Sequence, residues 1–269
     1  MRRRSLLPAF SATALVAALP GAASAQAAAG GLAEIVRRGE LIAAVQTQGP
    51  PNSFVNKAGA RVGFVVDVVK AMAADMGVKL QMQDYDFRGL IPAVTAGKAD
   101  LIAADMAPTP QRALVLLFSD PIYEEAVVLY GKRGRAAGGL EALNQPGVRL
   151  GVVAGSANKR ILERQFPRAT VVELAGGGPE LLQAVSGDRV VAAINVRSSA
   201  EANIANNPGE FEVIGGDLYT WPESFGVRPE QDHLRLWINN WIYWAKRDGK
   251  IDAMATYWRR GGTWRADHL

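Results

Sequence analysis

The sequence contains no cysteine and only two histidines among its 269 residues. The absence of cysteine excludes disulfide scaffolds, thiolate zinc sites, cysteine nucleophiles and redox dithiols. Neither His233 nor His268 stands in a metal-binding or catalytic motif, and the sequence also lacks a P-loop, a nucleophile elbow and an H-E-x-x-H pattern. We therefore expect no catalytic residue, no metal and no cofactor.

A strong excess of charge of one sign is also missing. The formal net charge is +4, but the three arginines at positions 2–4 belong to an N-terminal leader. Without them, 27 basic residues stand against 26 acidic ones. A net charge near zero gives no electrostatic reason to expect a nucleic-acid partner.

The one long apolar run lies at the N-terminus. Three arginines precede the stretch 6–19, and Ala23-Ser24-Ala25 follows it, which is the pattern of a secretory signal peptide. A membrane anchor is the alternative, but the run is shorter than the about 20 apolar residues that span a bilayer. We expect residues 1–25 to be cleaved after Ala25. The mature chain is then periplasmic, exported by the general secretory or the twin-arginine route.

The remaining chain alternates apolar runs with amphipathic stretches, which is typical of a parallel sheet with crossover helices. Val65, Val69, Met72 and Met76 stand at helical spacing, and Gly77 follows them as a helix-ending glycine. The pattern predicts strands over 41–45, 78–82 and 100–104 and helices over 65–76 and 89–96.

The same order of elements returns after a basic, glycine-rich join at 131–135. The second set predicts strands over 149–153, 171–174 and 190–194 and helices over 158–166 and 179–185. Two such sets imply two α/β lobes. A tail over 231–258 predicts a pair of helices whose apolar stripe, with Trp237 and Trp241, is expected to pack against the rest of the chain.

Two polar residues occupy equivalent places in the two sets. When the segments 94–105 and 185–195 are aligned, their glycines coincide, and Asp105 and Asn195 follow at the same distance. Ligands of open α/β sheets bind beyond the carboxyl ends of the strands, so both residues are expected to face a ligand site. The alternative is that each only begins a turn, as Asp and Asn often do.

Five motifs occur in order within about 60 residues: Gly63-Phe64-Val65-Val66-Asp67, Phe87-Arg88-Gly89-Leu90-Ile91-Pro92, Gly97-Lys98-Ala99-Asp100-Leu101, Thr109-Pro110-Gln111-Arg112-Ala113 and Phe118-Ser119-Asp120-Pro121. In these motifs the chain resembles the polar amino-acid type (family 3) of periplasmic solute-binding proteins of ABC transporters. The resemblance implies a type II periplasmic binding fold. That fold is α/β, with two lobes, each a mostly parallel sheet with flanking helices, joined by a two-strand hinge.

The resemblance also implies where the lobes lie in the chain. Lobe 1 would take residues 30–124 and 219–269, and lobe 2 residues 125–218. The two crossings between them would fall near 123–126 and 215–219. Two lobes joined only there are expected to close over a ligand as rigid bodies.

Site residues follow from the resemblance position by position. Arg112 matches the family's carboxylate clamp, and a guanidinium fork suits that task, although a solvated arginine is the alternative. Ser156, next to Ala157, matches a position that touches the same carboxylate, although such serines also cap helices. Phe87 matches an aromatic position beside the ligand, with a core phenylalanine equally open. Asn52 stands where the family usually has an aromatic residue.

Two departures bear on the ligand. Ala107 replaces the usual Thr or Ser, and Asn195 replaces the aspartate that the family directs at the ligand's α-ammonium. A buried ammonium facing a neutral amide lacks a partner that offsets its desolvation. Asp105, where small residues are usual, is expected to return that charge from the other lobe.

The sequence therefore predicts a binding protein that captures a small carboxylate, amino-acid-like solute and presents it to a membrane permease. We expect it to act as a monomer. The alternative is a periplasmic enzyme on the same scaffold, similar to cyclohexadienyl or arogenate dehydratases, which need an acid near the leaving group. The candidate acids by location are Asp105, Glu124, Glu125 and Glu223.

Overall fold

The computed structural model describes residues 31–47 and 49–269, so the predicted signal peptide lies outside the described residues. The chain first forms one α/β unit. Its elements are α1 (Leu32–Arg38), β1 (Glu40–Val45), β2 (Phe54–Val55), β3 (Arg61–Val62), α2 (Phe64–Met76), β4 (Lys79–Asp84), α3 (Phe87–Thr95), β5 (Leu101–Ala103) and β6 (Leu117–Phe118).

A second α/β unit follows directly. Its elements are β7 (Tyr123–Lys132), α4 (Gly139–Leu143), β8 (Arg149–Val153), α5 (Asn158–Gln165), β9 (Thr170–Leu174), α6 (Gly177–Ser186), β10 (Ala192–Val196), α7 (Arg197–Asn206) and β11 (Phe211–Glu223). The chain then forms β12 (Gly226–Val227) and the tail helices α8 (Asp232–Arg247), α9 (Lys250–Ala255) and α10 (Trp264–His268), with a π-helical turn at Thr256–Gly261 between the last two.

The two units build two separate five-stranded sheets. The first has the order β4-β1-β5-β12-β6, with β1 parallel to β4 and β5 and with β12 antiparallel to its neighbours. The second has the order β11-β7-β10-β8-β9, with β8, β9 and β10 parallel and β7 and β11 antiparallel. This confirms the predicted α/β class with two sheets and flanking helices.

The local sequence explains where the helices α2 and α3 begin and end. One face of α2 is buried and includes Val65, Val69 and Met72. The helix ends at Gly77, whose φ of 74° lies in the left-handed region. Asp86 caps the N-terminus of helix α3, and its Oδ1 accepts a hydrogen bond from the N–H of Gly89 at 2.7 Å. Helix α2 lies where the periodicity predicts it, whereas α3 begins two residues before the expected start at Gly89.

Some predicted boundaries shift. Strand β10 runs from Ala192 to Val196 rather than over 190–194, because Asn195 and Val196 pair with Val128 and Val127 of β7. Helix α6 begins at Gly177, two residues before the expected proline start at Pro179.

The long strands β7 and β11 connect the two sheets. They pair antiparallel from Tyr123 opposite Glu223 to Val127 opposite Tyr219, and the register then shifts between Tyr219 and Ile214. Each strand lies in the second sheet but adjoins a strand of the first sheet in the chain, β6 before β7 and β12 after β11.

The tail returns to the first sheet. Leu234, Ile238 and Trp241 of α8 lie in the same buried cluster as β1 and α2, as the apolar stripe predicts. Trp241 also donates from its Nε1 to Asp75 at 2.8 Å. Within the described part of the chain, no helix is both long and apolar enough to cross a membrane, and no group of acidic and histidine side chains is arranged to hold a metal ion.

Candidate functional site

Asp105 and Asn195 lie on the same cavity between the two sheets. Asp105 follows the end of β5, and Asn195 lies near the end of β10. Both line a cavity of about 60 Å³, called here the first cavity, together with Phe87 and Ser156. The internal repeat therefore brings its two polar residues together at the carboxyl ends of their strands.

Arg112 reaches across the boundary between the sheets. It lies in a single 3₁₀ turn, Arg112–Leu114, rather than at the start of an α-helix. Its Nη1 donates to the carbonyl of Ala107 at 2.8 Å and its Nη2 to the carbonyl of Gly155 at 3.1 Å. Burial lowers the pKa of Arg112 to about 10, which still leaves the guanidinium charged at neutral pH. The side chain thus places a fixed positive charge at the cleft.

A second, smaller cavity adjoins the first and contains this charge. Its volume is about 40 Å³, and its lining includes Arg112, Ala107 and Ala157. Phe87, Asp105 and Ser156 line both cavities, so the two are neighbouring parts of one cleft.

Phe87 and Ser156 each have a structural role as well as a place on the cleft. Phe87 is 9% exposed, and the guanidinium carbon of Arg112 lies 5.2 Å from the centre of its ring. The hydroxyl of Ser156 accepts a hydrogen bond from the N–H of Asn158, the first residue of α5, at 3.2 Å. Phe87 is therefore packed in the core and Ser156 accepts from the first N–H of α5, while both residues also line the cleft.

Asn52 lies behind the cleft. Its side chain is fully buried and donates from Nδ2 to the hydroxyl of Ser199 at 3.1 Å and to that of Ser198 at 3.4 Å. It lines neither of the two cleft cavities, whereas Ser199 lines the first. Asn52 therefore contacts Ser199, which lines the cleft, rather than the cleft itself.

A further arginine, which belongs to none of the sequence motifs, lies beside the cleft. Arg259 belongs to the π-helical turn, and its side chain is 2% exposed. Its Nη1 lies 2.7 Å from Glu125 Oε2, and its Nη2 lies 2.8 Å from Glu223 Oε2 and 3.6 Å from Asp105 Oδ1. The guanidinium also lies over the ring of Phe64, 4.1 Å from its centre. One cation therefore faces three carboxyl groups.

Charge and burial oppose one another in this cluster. Burial raises the pKa of Glu223 well above its usual value, and the nearby Asp105 and Glu125 add to the rise while Arg259 opposes it. Burial alone would lower the pKa of Arg259, but the surrounding carboxylates raise it. Glu223 also lines the smaller cavity, and its Oε1 has no hydrogen-bond partner among the described residues.

The four acidic candidates thus separate by position. Asp105 and Glu223 line the cleft, and Glu125 is buried against Arg259. Glu124 is exposed and lines a different, outer cavity. Neighbours in the strand β7 point in opposite directions, which is why adjacent glutamates have different surroundings.

Direct contacts close the rim of the cleft. Arg88 of α3 pairs with Glu173 of β9 at 2.8 Å, and Lys159 pairs with the same carboxylate at 2.7 Å. Hydrogen bonds from Lys159 and Arg88 lower the pKa of Glu173 to about 2. Gly177 has a φ of +70°, and a Cβ there would lie 2.7 Å from the carbonyl of Thr47, so only glycine allows this approach of the two units.

Comparisons with known proteins agree with this architecture. The chain is 26% identical over 253 residues to the lysine/arginine/ornithine-binding periplasmic protein of Escherichia coli, covering 91% of this chain and 94% of that protein. A putative binding component of an ABC transporter from Wolinella succinogenes, solved with lysine, has a TM-score of 0.79 at 25% identity and covers 85% of this chain and 99% of its own. An ancestral amino acid-binding protein, a precursor of cyclohexadienyl dehydratase, has a TM-score of 0.78 at 30% identity, with the same coverage.

The fold is accordingly that of the type II periplasmic amino-acid-binding proteins. The model of one family, described as bacterial extracellular solute-binding proteins, family 3, matches residues 41–261, which is most of the chain. The chain belongs to this family of extracellular solute-binding proteins.

Proposed function

We propose that this protein captures an amino acid in the cleft between its two sheets and presents it to the membrane permease of an ABC importer. The observation that carries the proposal is the guanidinium of Arg112, which is held at the cleft by backbone carbonyls from both units. The names of its relatives, which include arginine-, histidine- and cystine-binding proteins, support a ligand of this class.

The carboxylate of the ligand would bind Arg112. A guanidinium has five N–H donors in a planar fork, and the carbonyls of Ala107 and Gly155 occupy one each. Donors therefore remain for a carboxylate, which the fork can meet with two parallel hydrogen bonds. Ser156 and Ala157, in the turn before α5, stand beside this position in the smaller cavity.

The ammonium of the ligand would lie near Asp105. Asp105, Glu125 and Glu223 surround the single cation Arg259. If Glu223 keeps its proton, as its raised pKa favours, the cluster still carries one more negative than positive charge. An ammonium beside Asp105 would balance that charge, which an uncharged substituent would not do.

Ligand capture would proceed by closure of two lobes. We propose lobe 1 as residues 30–124 and 219–269 and lobe 2 as residues 125–218, because β7 and β11 are the strands that run between the two sheets. The rim pair Arg88–Glu173 would form on closure. We further propose that the chain is cleaved after Ala25, works in the periplasm and acts as a monomer.

One observation favours a second candidate function, a periplasmic dehydratase. Glu223 is a buried carboxyl group with a raised pKa on the wall of the cleft, which is what a general acid requires. Incubation of the protein with prephenate or arogenate tests this candidate. An aromatic product, detected by its ultraviolet absorbance, would support the enzyme, and its absence would favour binding alone.

A thermal-shift screen tests the proposed function itself. Paired amino acids and their deaminated analogues are added to the purified protein, and a ligand that binds the folded state raises its melting temperature. We expect the amino acids to stabilise the protein more than the analogues. A response confined to the deaminated acids would contradict the role of Asp105 in binding an ammonium.

A further inference from the structure

The side-chain amide of Asn195 is oriented by the backbone of the next residue, Val196. Asn195 Oδ1 accepts a hydrogen bond from the N–H of Val196 at 2.9 Å. The reverse orientation would set two donors against each other, so this bond determines which end of the amide is left for other partners. The Nδ2 is buried and has no hydrogen-bond partner among the described residues. Asn195 therefore has a buried donor that needs an acceptor.

Asn195 lies between the first cavity and a further one. It lines the first cavity and also a cavity of about 230 Å³, called here the distal cavity. The distal cavity is bounded by Pro50 on the side of the first sheet and by residues of α6 and α7 on the other. Gly178 and Ser199 also line both cavities, so the first and the distal cavity adjoin one another.

The distal cavity carries no charged side chain among the described residues that line it, and four of those residues are asparagines. Asn203 donates from Nδ2 to the hydroxyl of Tyr130 at 3.5 Å, and Asn207 donates from Nδ2 to the carbonyl of Asn203 at 2.8 Å. Because these nitrogens donate within the protein, the side-chain oxygens are left to act as acceptors. A cation that entered this cavity would lose water without meeting a counter-charge.

We propose that the distal cavity receives the neutral, amide-bearing end of the ligand's side chain, with the carbonyl oxygen of that end accepting from Asn195 Nδ2. The inference rests on the proposed function, in which Arg112 and Asp105 hold the carboxylate and the ammonium. A carboxamide or ureido group offers both an acceptor for Asn195 and donors for the asparagine oxygens, whereas an ammonium or guanidinium offers no acceptor. The ligand class is thus an amino acid such as glutamine or citrulline, in contrast to the cationic amino acids named for several relatives.

Calorimetric titration with L-citrulline and L-arginine tests the inference. These two amino acids have nearly the same shape and differ at the end of the side chain, where citrulline carries a carbonyl oxygen and arginine a charged nitrogen. We expect the wild-type protein to bind citrulline at least about tenfold more tightly. In Asn195→Asp, the bond from Val196 can be kept while an anionic oxygen faces the cavity, and we expect arginine to become the preferred ligand.

Asn144→Asp is the matched control. It makes the same change in the second unit, where Asn144 Oδ1 accepts from the N–H of Arg168 at 2.9 Å, and Asn144 lines neither cavity. This variant should keep the wild-type preference. If Asn195→Asp fails to fold by circular dichroism, Asn195→Ala replaces it and should lose the advantage of citrulline over arginine.

Several results would overturn the inference. The first is arginine binding as tightly as citrulline or more tightly in the wild type. The second is an unchanged preference in the Asn195 variants. Binding of other amino acids without binding of either citrulline or glutamine would also overturn it and leave the proposed function intact. Failure to bind any amino acid would instead contradict the proposed function.

Discussion

Arg112 carries the positive charge on which the proposed binding depends. Its two η nitrogens donate hydrogen bonds to the backbone carbonyls of Ala107 in the first unit and Gly155 in the second. Its guanidinium lies over the ring of Phe87. A lysine at this position would keep the charge but would lose the planar fork that meets a carboxylate with two bonds. The affinity of an Arg112→Lys variant therefore shows whether binding needs the fork or only the charge.

Arg112→Lys should weaken amino-acid binding by about 1.5 to 3 kcal/mol, the range for hydrogen bonds to charged groups. Isothermal titration calorimetry measures the change. Arg135→Lys serves as the control, because Arg135 is an exposed arginine that pairs with Asp188 at 3.0 Å away from the cleft. An affinity equal to that of the wild type in Arg112→Lys would remove Arg112 from the site.

Asp105→Asn should separate ammonium recognition from carboxylate recognition. The variant should lose at least about tenfold in affinity for the amino acid that the wild type binds. Its affinity for the deaminated analogue should stay equal or improve, since a carboxylate near an anion site repels the ligand. Equal losses for both ligands would show that Asp105 supports the cleft rather than the ammonium.

At the scale of the elements, the internal repeat predicts most of what positions the cleft. The spacing that aligns Asp105 with Asn195 works because equivalent strands of the two units end at the same cavity. The place of Arg259 could not be predicted, since it depends on a π-helical turn that has no periodic sequence signal. The burial of Asn52 behind Ser199 depends on packing between the units and is equally invisible to local sequence patterns.

The carboxylate of Glu173, which pairs with Lys159 within the second unit, should make stability depend on pH. The pKa of Glu173 is lowered to about 2 in the folded protein by Lys159 and Arg88, so the folded state favours its ionised form. The stabilisation is therefore fully present above the usual pKa of a glutamate, about 4.3, and is lost as the pH falls from there towards about 2.

Glu173→Gln tests this dependence. Urea-unfolding midpoints of the variant and the wild type should differ most near neutral pH, with the wild type the more stable, and should converge as the pH falls from about 4 towards about 2. A difference between the two proteins that stays constant over this range would contradict the role of the ionised pair.

At the scale of the whole molecule, two sheets are connected by β7 and β11 and contact each other along a closed rim. The class of fold and the order of its elements follow from hydrophobic periodicity and from the family motifs. The closure of the cleft does not, because it depends on pairs such as Arg88 and Glu173 that lie 85 residues apart in the sequence.

Small-angle scattering tests the proposed hinge motion. The radius of gyration should fall when a saturating amino acid is added, because the lobes rotate together around β7 and β11. Arg112→Lys at the same amino-acid concentration should show a smaller fall. An identical radius of gyration for the wild type with and without ligand would contradict closure on binding.

Native mass spectrometry of the wild-type protein, in an equimolar mixture of amino acids that includes citrulline, tests directly whether the cleft binds an amino acid through Arg112. Because Arg112 is the one carboxylate clamp of the proposed site, we expect a single adduct per chain whose added mass is that of an amino acid. The same adduct should be weaker in Arg112→Lys. A spectrum with no amino-acid adduct above the nonspecific background, or with an adduct unaffected by Arg112→Lys, would contradict the account.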